Sequence, residues 1–138
     1  MPEKKTKQKA EQDLREGKSA STAAGEFVHE EIEHIREGKH GARNTKQAIA
    51  IGLSKARRAG VPLPAPKKGQ TTERTRRSAL SAYEVGQGEA KPRRRSSRRS
   101  AATKRALERE PKSTVSKRSL SHQAKQAAAK RKRRTRRS

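Results

Sequence analysis

The clearest apolar pattern along the chain lies in residues 44–60. Ile49, Leu53 and Ala56 recur at i, i+4 and i+7, so they share one face of a helix, and Gly52 adjoins them. The spacing predicts a helix of about four turns, around which any folded part of the chain is organised.

Both ends of this predicted helix carry recognisable signals. Asn44 or Thr45 can cap the first free N–H groups, and Gln47 can reach back as in a capping box. Gly60 is suited to the left-handed residue that closes a helix, and Pro62 prevents its continuation.

A second apolar face precedes it in residues 19–38. We expect Ser21 or Thr22 to cap this helix and Gly38 to end it. Its apolar residues recur at helical spacing: Ala24, Phe27, Val28, Ile32 and Ile35. Its acidic residues are expected on the opposite, outer face: Glu26, Glu30, Glu33 and Glu37.

Two apolar-faced helices joined by a short loop predict an all-α fold built on a helical hairpin, at about residues 20–60. Close approach of the two backbones is expected at Gly52. The predicted hairpin core consists of Phe27, Val28, Ile32, Ile35, Ile49, Leu53 and Ala56.

The segments around the hairpin differ from it in composition. Residues 1–18 are predicted to be a charged arm or a weak, frayed helix, because lysines precede the acids and Leu14 is the one large apolar residue. With the hairpin domain at 19–60, residues 61–70 form a proline-rich linker and residues 71–138 a basic low-complexity tail.

A five-residue pattern occurs twice, 21 positions apart. Leu14-Arg15-Glu16-Gly17-Lys18 is echoed by Ile35-Arg36-Glu37-Gly38-Lys39. We interpret the echo as the same helix-ending chemistry used twice, with duplication as the alternative.

Charge divides the chain into two unlike halves. Its 138 residues carry a net charge of +24, of which the last 72 residues contribute 25 Lys/Arg against 5 acids. Leu, Ile, Val and Phe number 15, about 11% of the chain. This share is below the roughly 20% under which a highly charged chain is expected to be disordered. We therefore expect the basic tail to be largely disordered alone and to become helical when a polyanion neutralises it.

The hairpin's second helix also carries a longer motif, Lys-Gln-Ala-Ile-Ala-Ile-x-Leu-Ser-x-Ala-Arg-x-Ala-Gly, from Lys46 to Gly60. This motif resembles that of a small bacterial family classed as a domain of unknown function. The resemblance implies a bacterial or phage origin and carries over no catalytic or binding residue. The tail is similar in composition to linker-histone tails and bacterial histone-like proteins.

Nucleic acid is the partner that such a polycation favours, because neutralising phosphates releases condensed counterions whatever the base sequence. We predict non-specific binding, to DNA rather than RNA, with DNA condensation or nucleoid association as the function and the hairpin as a dimerisation or docking module. The predicted contact residues are Arg93, Arg94, Arg95, Arg98, Arg99, Lys104, Arg105, Lys117, Arg118, Lys130, Arg131, Lys132, Arg133, Arg134, Arg136 and Arg137.

Two other functions remain open. One is an RNA- or ribosome-associated accessory protein, and the other is a protein-binding adaptor whose tail adds only electrostatic attachment. A helix-turn-helix reader is disfavoured by the long connection and the acidic first helix. Phe27 and Tyr83 are the chain's two aromatics, too few for a base-stacking platform.

Catalytic chemistry finds no support in the sequence. The chain has no cysteine to bind a metal ion. His29 and His34 are five residues apart, so their side chains diverge by roughly 140° around a helix, and we expect no metal site. No catalytic residue, cofactor or small-molecule substrate is expected. The absence of a long apolar run predicts no membrane segment and a cytoplasmic, nucleoid-associated protein.

Overall fold

A computed structural model describes residues 4–92 and 96–137 of the protein, with side chains to residue 136. No strand occurs in those two stretches, so the all-α prediction is confirmed. A single turn of 3-10 helix, Lys112–Val115, precedes the last helix. The helices are α1 (Lys4–Arg15), α2 (Ala20–Arg36), α3 (Thr45–Arg58), α4 (Glu73–Gly86), α5 (Ser97–Glu108) and α6 (Lys117–Arg137).

Side-chain caps begin the two hairpin helices. The side chain of Asn44 accepts a hydrogen bond from the N–H of Gln47 at 2.8 Å, as the sequence predicts for α3. For α2 the cap is Ser19, whose hydroxyl accepts from the N–H of Thr22 at 3.2 Å. The helix therefore starts earlier than a cap at Ser21 or Thr22 would allow.

The repeated pentapeptide ends α1 and α2 in the same way. Gly38 has φ 82°, its N–H donates to the carbonyl of Ile35 at 3.0 Å, and the next N–H donates to His34 at 3.0 Å. Gly17 also has φ 82° and makes the corresponding bond to Leu14 at 3.1 Å. Both ends are thus the glycine-closed motif in which two N–H groups satisfy carbonyls of the last turn.

Helix α1 is a packed element of the fold, which corrects the prediction of a frayed arm. Ala10 is 2% exposed and lies in one core cluster with Phe27 and Ala56. Leu14 packs against the same cluster. Small side chains let α1 approach α2 closely, so it needs no second large apolar anchor.

The predicted hairpin core is buried to different degrees. Phe27, Ile35 and Ala56 are at most 1% exposed, whereas Leu53 and Ile32 are half-buried against the clusters. Two further members of the predicted core are also half-buried: Val28 and Ile49. The core divides into two clusters because α1 covers one part of α2 and the segment before α6 covers another.

One predicted outer acid lies inside. Glu30 is 6% exposed, and its Oε1 accepts a hydrogen bond from the hydroxyl of Thr6 on α1 at 3.2 Å. The acidic face of α2 is thus partly covered by α1, because that helix packs where the sequence suggested solvent.

The first part of the proline-rich segment packs on the hairpin. Val61 is 4% exposed and Leu63 adjoins the same core cluster. Arg57 donates hydrogen bonds to the carbonyls of Leu63 and Pro64, both at 3.2 Å. The packed unit therefore continues to residue 64, and α4 lies against α3 beyond it.

The structure does not support a largely disordered basic tail. Its described residues form α4, α5 and α6, and Val115 is fully buried with Ile35, Ala42 and Ala48. The sequence is rich in helix formers, and this one valine docks the segment before α6 onto α2. Helices in the basic half therefore form because of local helix propensity and the packing of Val115, and they need no bound polyanion.

Candidate nucleic-acid interface

Helix α6 concentrates the positive charge of the molecule. Its 21 residues contain ten Lys and Arg and no acid, over a length of about 32 Å. Every side chain from residue 130 to 136 is exposed. Consecutive residues differ by about 100° around a helix, so these cations surround the axis on all sides.

The start of α6 is fixed to the folded unit. Ser116 accepts a hydrogen bond from the N–H of Ser119 at 3.1 Å and so caps the helix. Just before it, Arg36 donates to the carbonyl of Val115 at 3.2 Å and Thr45 donates to that of Thr114 at 2.5 Å. The beginning of α6 is therefore held to the hairpin, although its first two residues, Lys117 and Arg118, are themselves charged and exposed.

A second basic region lies between α5 and the hairpin. A cleft of about 620 Å³ separates them, and Lys39, Lys55 and Arg58 line one wall while Arg99 and Lys104 line the other. The chain is held here by the N–H of Gly41, which donates to the carbonyl of Leu107 at 2.6 Å. Five cationic side chains border the cleft against one acid, Glu31, which pairs with Lys55, so the cleft keeps a positive balance that suits an anionic group.

The predicted contact residues fall into three groups. Arg98, Arg99, Lys104 and Arg105 are exposed on α5, and Lys117 and Arg118 are exposed at the beginning of α6. Lys130, Arg131, Lys132, Arg133, Arg134 and Arg136 are exposed near its end, which also includes Arg137. Arg93, Arg94 and Arg95 lie outside the described residues.

The apolar face of the hairpin is covered within the chain itself. Ala10 of α1 packs in one cluster and Val115 in the other. Among the residues that the structure describes, Leu80 on α4 is the large apolar residue that is exposed, at 39%. Each of the two hairpin core clusters therefore includes a residue from outside the hairpin.

The hairpin also contains a buried charged group that the sequence did not reveal. Glu31 is fully buried, its Oε2 lies 2.5 Å from Nζ of Lys55, and its Oε1 contacts Nε2 of His40. Neither contact has hydrogen-bond geometry.

From the sequence we considered His29 and His34 as a possible pair of metal ligands, whereas the structure brings His34 close to His40. Ligand atoms of Glu31, His34 and His40 all lie within 4.8 Å of one another. The rings of His34 and His40 are 6.5 Å apart and nearly perpendicular, at 83°. Glu31 and His34 at i and i+3 were a detectable signal, but His40 joins them only through the turn at Gly38.

None of the helices in residues 4–92 and 96–137 is both long enough and apolar enough to span a membrane. In comparison with known protein families, residues 15–68 fit a family described as a family of unknown function (DUF6496). No curated protein and no solved structure matches the chain. Over the hairpin and the segments beside it, this chain is therefore similar to a domain of unknown function.

Proposed function

We propose that this protein binds duplex DNA without sequence specificity, through α6 with assistance from the basic cleft beside α5. The observation that carries the proposal is the composition of α6, ten cations and no acid in one helix. Such a helix neutralises phosphates and releases their counterions, a gain that does not depend on the bases.

The shape of α6 favours duplex DNA over duplex RNA. An α-helix with its side chains is about 10–12 Å across, close to the width of about 12 Å of the B-DNA major groove. Phosphates line both walls of that groove, which suits a helix with cations on all sides. The major groove of A-form RNA is too narrow for such entry.

Single-stranded nucleic acid is a poorer fit. Phe27 is 1% exposed and Tyr83 is half-buried, so neither aromatic ring offers an open face for base stacking. The hairpin contributes as the platform on which α5 and α6 are held, and the proposed outcome is coating or compaction of the duplex.

The test measures the affinity of the full chain for random-sequence duplex DNA as a function of salt. The variant Arg131, Lys132, Arg133 and Arg134→Gln removes four charges and keeps good helix formers. We expect its log–log salt slope to be shallower by about 3–4, since each phosphate contact contributes about 0.9.

The matched control removes four exposed charges near α4, as Lys67, Lys68, Arg74 and Arg77→Gln. We expect a clearly smaller change in slope. An equal change in both variants would contradict the assignment to α6, and tighter binding to duplex RNA of the same length would contradict the choice of DNA. Circular dichroism verifies that both variants stay helical.

A further inference from the structure

Three possible metal ligands converge at the end of α2. The Glu31 carboxylate and the His34 imidazole occupy positions i and i+3, and thus neighbouring places on the helix surface. Gly38, with φ 82°, reverses the chain and returns His40 to the same place. One ligand atom from each residue lies within 4.8 Å of the other two.

The hydrogen bond of His40 decides what its second ring nitrogen can do. Nδ1 lies 3.0 Å from the carbonyl oxygen of Gly41, and because a carbonyl only accepts, Nδ1 carries a proton and donates it. In a neutral imidazole, Nε2 then has a lone pair, and it faces Oε1 of Glu31. Two acceptors in contact repel one another unless a second proton or a metal ion lies between them.

Lys55 orients the carboxylate. Its ammonium lies 2.5 Å from Oε2 of Glu31, which leaves Oε1 directed at His40. The side chain of Glu31 is 1% exposed, and a buried carboxylate is stable only when it is paired or coordinates a metal. A backbone bond that fixes the imidazole and a charged partner that fixes the carboxylate are the usual outer contacts of metal ligands.

We propose that Glu31, His34 and His40 bind one Zn²⁺ ion, with water as the fourth ligand. Two imidazole nitrogens and one carboxylate oxygen are a donor set that Zn²⁺ accepts in tetrahedral geometry, whereas Mg²⁺ and Ca²⁺ prefer oxygen alone. Zinc–ligand distances near 2.1 Å place ligands about 3.4 Å apart, so the widest separation must close by rotation of the half-buried histidines.

The ion would connect the end of α2 to the loop before α3. Bound metal commonly supplements the core of small folded units, because its binding free energy adds to the free energy of folding. Glu31 and His40 also line the basic cleft, but the zinc site uses no residue of α6, so failure of the zinc proposal leaves the DNA contacts proposed for α6 standing, and the reverse holds as well.

The test uses the full chain after treatment with a chelator. Zn²⁺ is titrated in competition with a chromophoric chelator, while the imidazole C–H resonances of the four histidines are followed by NMR. We expect one ion per chain, a higher melting temperature, and shifts of His34 and His40 that His29 and His122 do not share. No bound zinc, or equal shifts at all four histidines, would overturn the proposal.

Substitutions locate the site on the protein. His34→Gln and His40→Gln are each expected to weaken zinc binding by about tenfold or more. His29→Gln is the matched control, because His29 is exposed on α2 outside the cluster, and it should bind zinc as the natural sequence does. Equal loss of zinc affinity in all three variants would contradict the proposed site. The contact between His40 and Glu31 would then be made by a shared proton rather than by a metal ion. If His40→Gln does not fold, the NMR titration of the natural sequence decides.

Discussion

Gly52 of α3 lies directly against the backbone of Val28 of α2. A Cβ at Gly52 would stand 2.6 Å from Cα of Val28, closer than real Cβ contacts allow, and a tight 3.0 Å from its nitrogen. The glycine therefore sets how closely the two hairpin helices approach.

Gly52→Ala should consequently destabilise the protein, by roughly 1–3 kcal/mol, although alanine favours helix formation. Thermal and urea unfolding followed by circular dichroism measures the change. Gly25→Ala on α2 is the control, because a Cβ there would meet no described heavy atom within 4 Å. That substitution should stabilise by roughly 0.5–1 kcal/mol. Gain of stability in both variants would contradict the close contact.

Val115→Ala tests the attachment of the basic half. The valine is fully buried with Ile35, Ala42 and Ala48, so its truncation should cost roughly 1–3 kcal/mol. The loss should be local as well, with faster hydrogen exchange at the N–H of Leu120 in the first turn of α6. Val85→Ala, at a half-buried position on α4, should leave that exchange unchanged. An exchange rate at Leu120 that Val115→Ala leaves unchanged would mean that α6 is held by other contacts.

Arg57→Ala tests the packing of the proline-rich segment. Arg57 is 8% exposed, burial lowers the pKa of its guanidinium, and its two donors serve the carbonyls of Leu63 and Pro64. Loss of these hydrogen bonds should lower the free energy of unfolding by roughly 1–3 kcal/mol. Limited proteolysis should then cut residues 61–66 faster. The neighbouring, exposed Arg58→Ala should change neither property much, and equal cleavage in both variants would refute the role of Arg57.

The carboxyl group of Glu16 gives a pH-dependent prediction. Hydrogen bonds from Gln12 and Lys18, in that order, lower its pKa. A folded-state pKa below the unfolded value stabilises the fold above the unfolded pKa, and this contribution disappears as pH falls through the folded value. Gln12→Ala should raise the pKa of Glu16 in a carboxyl NMR titration, while Gln8→Ala should not. An unchanged pKa in the first variant would exclude the hydrogen bond as its main cause.

Local signals in the sequence were sufficient for α3. Asn44, the apolar face and Gly60 mark its bounds because capping and periodicity act within a few residues. The sequence was insufficient for α1, since Ala10 and Thr6 are buried only through their fit against α2. Small side chains leave little periodic signal, although they permit close packing.

The docking of the tail and the cluster around Glu31 depend on contacts distant in sequence. Val115 is one valine in a polar segment, and nothing near it indicates that it will meet Ile35, 80 positions away. His40 likewise reaches Glu31 only because the glycine turn reverses the chain. Composition described the basic half as a free polycation, whereas the burial of Val115 and the hydrogen bonds beside it attach the start of α6 to the hairpin.

On the proposed DNA-binding function, attachment of α6 at Ser116 and Val115 also has a consequence for how the molecule approaches the duplex by diffusion. A polycation on a free tether has no fixed direction, whereas α6 gives the whole molecule a permanent electrostatic orientation. The field of DNA should turn the cationic end of α6 toward it before contact, so that encounters are productive more often than random ones. Association should then be faster than the roughly 10⁵–10⁶ M⁻¹s⁻¹ of unsteered pairs and should slow steeply with added salt.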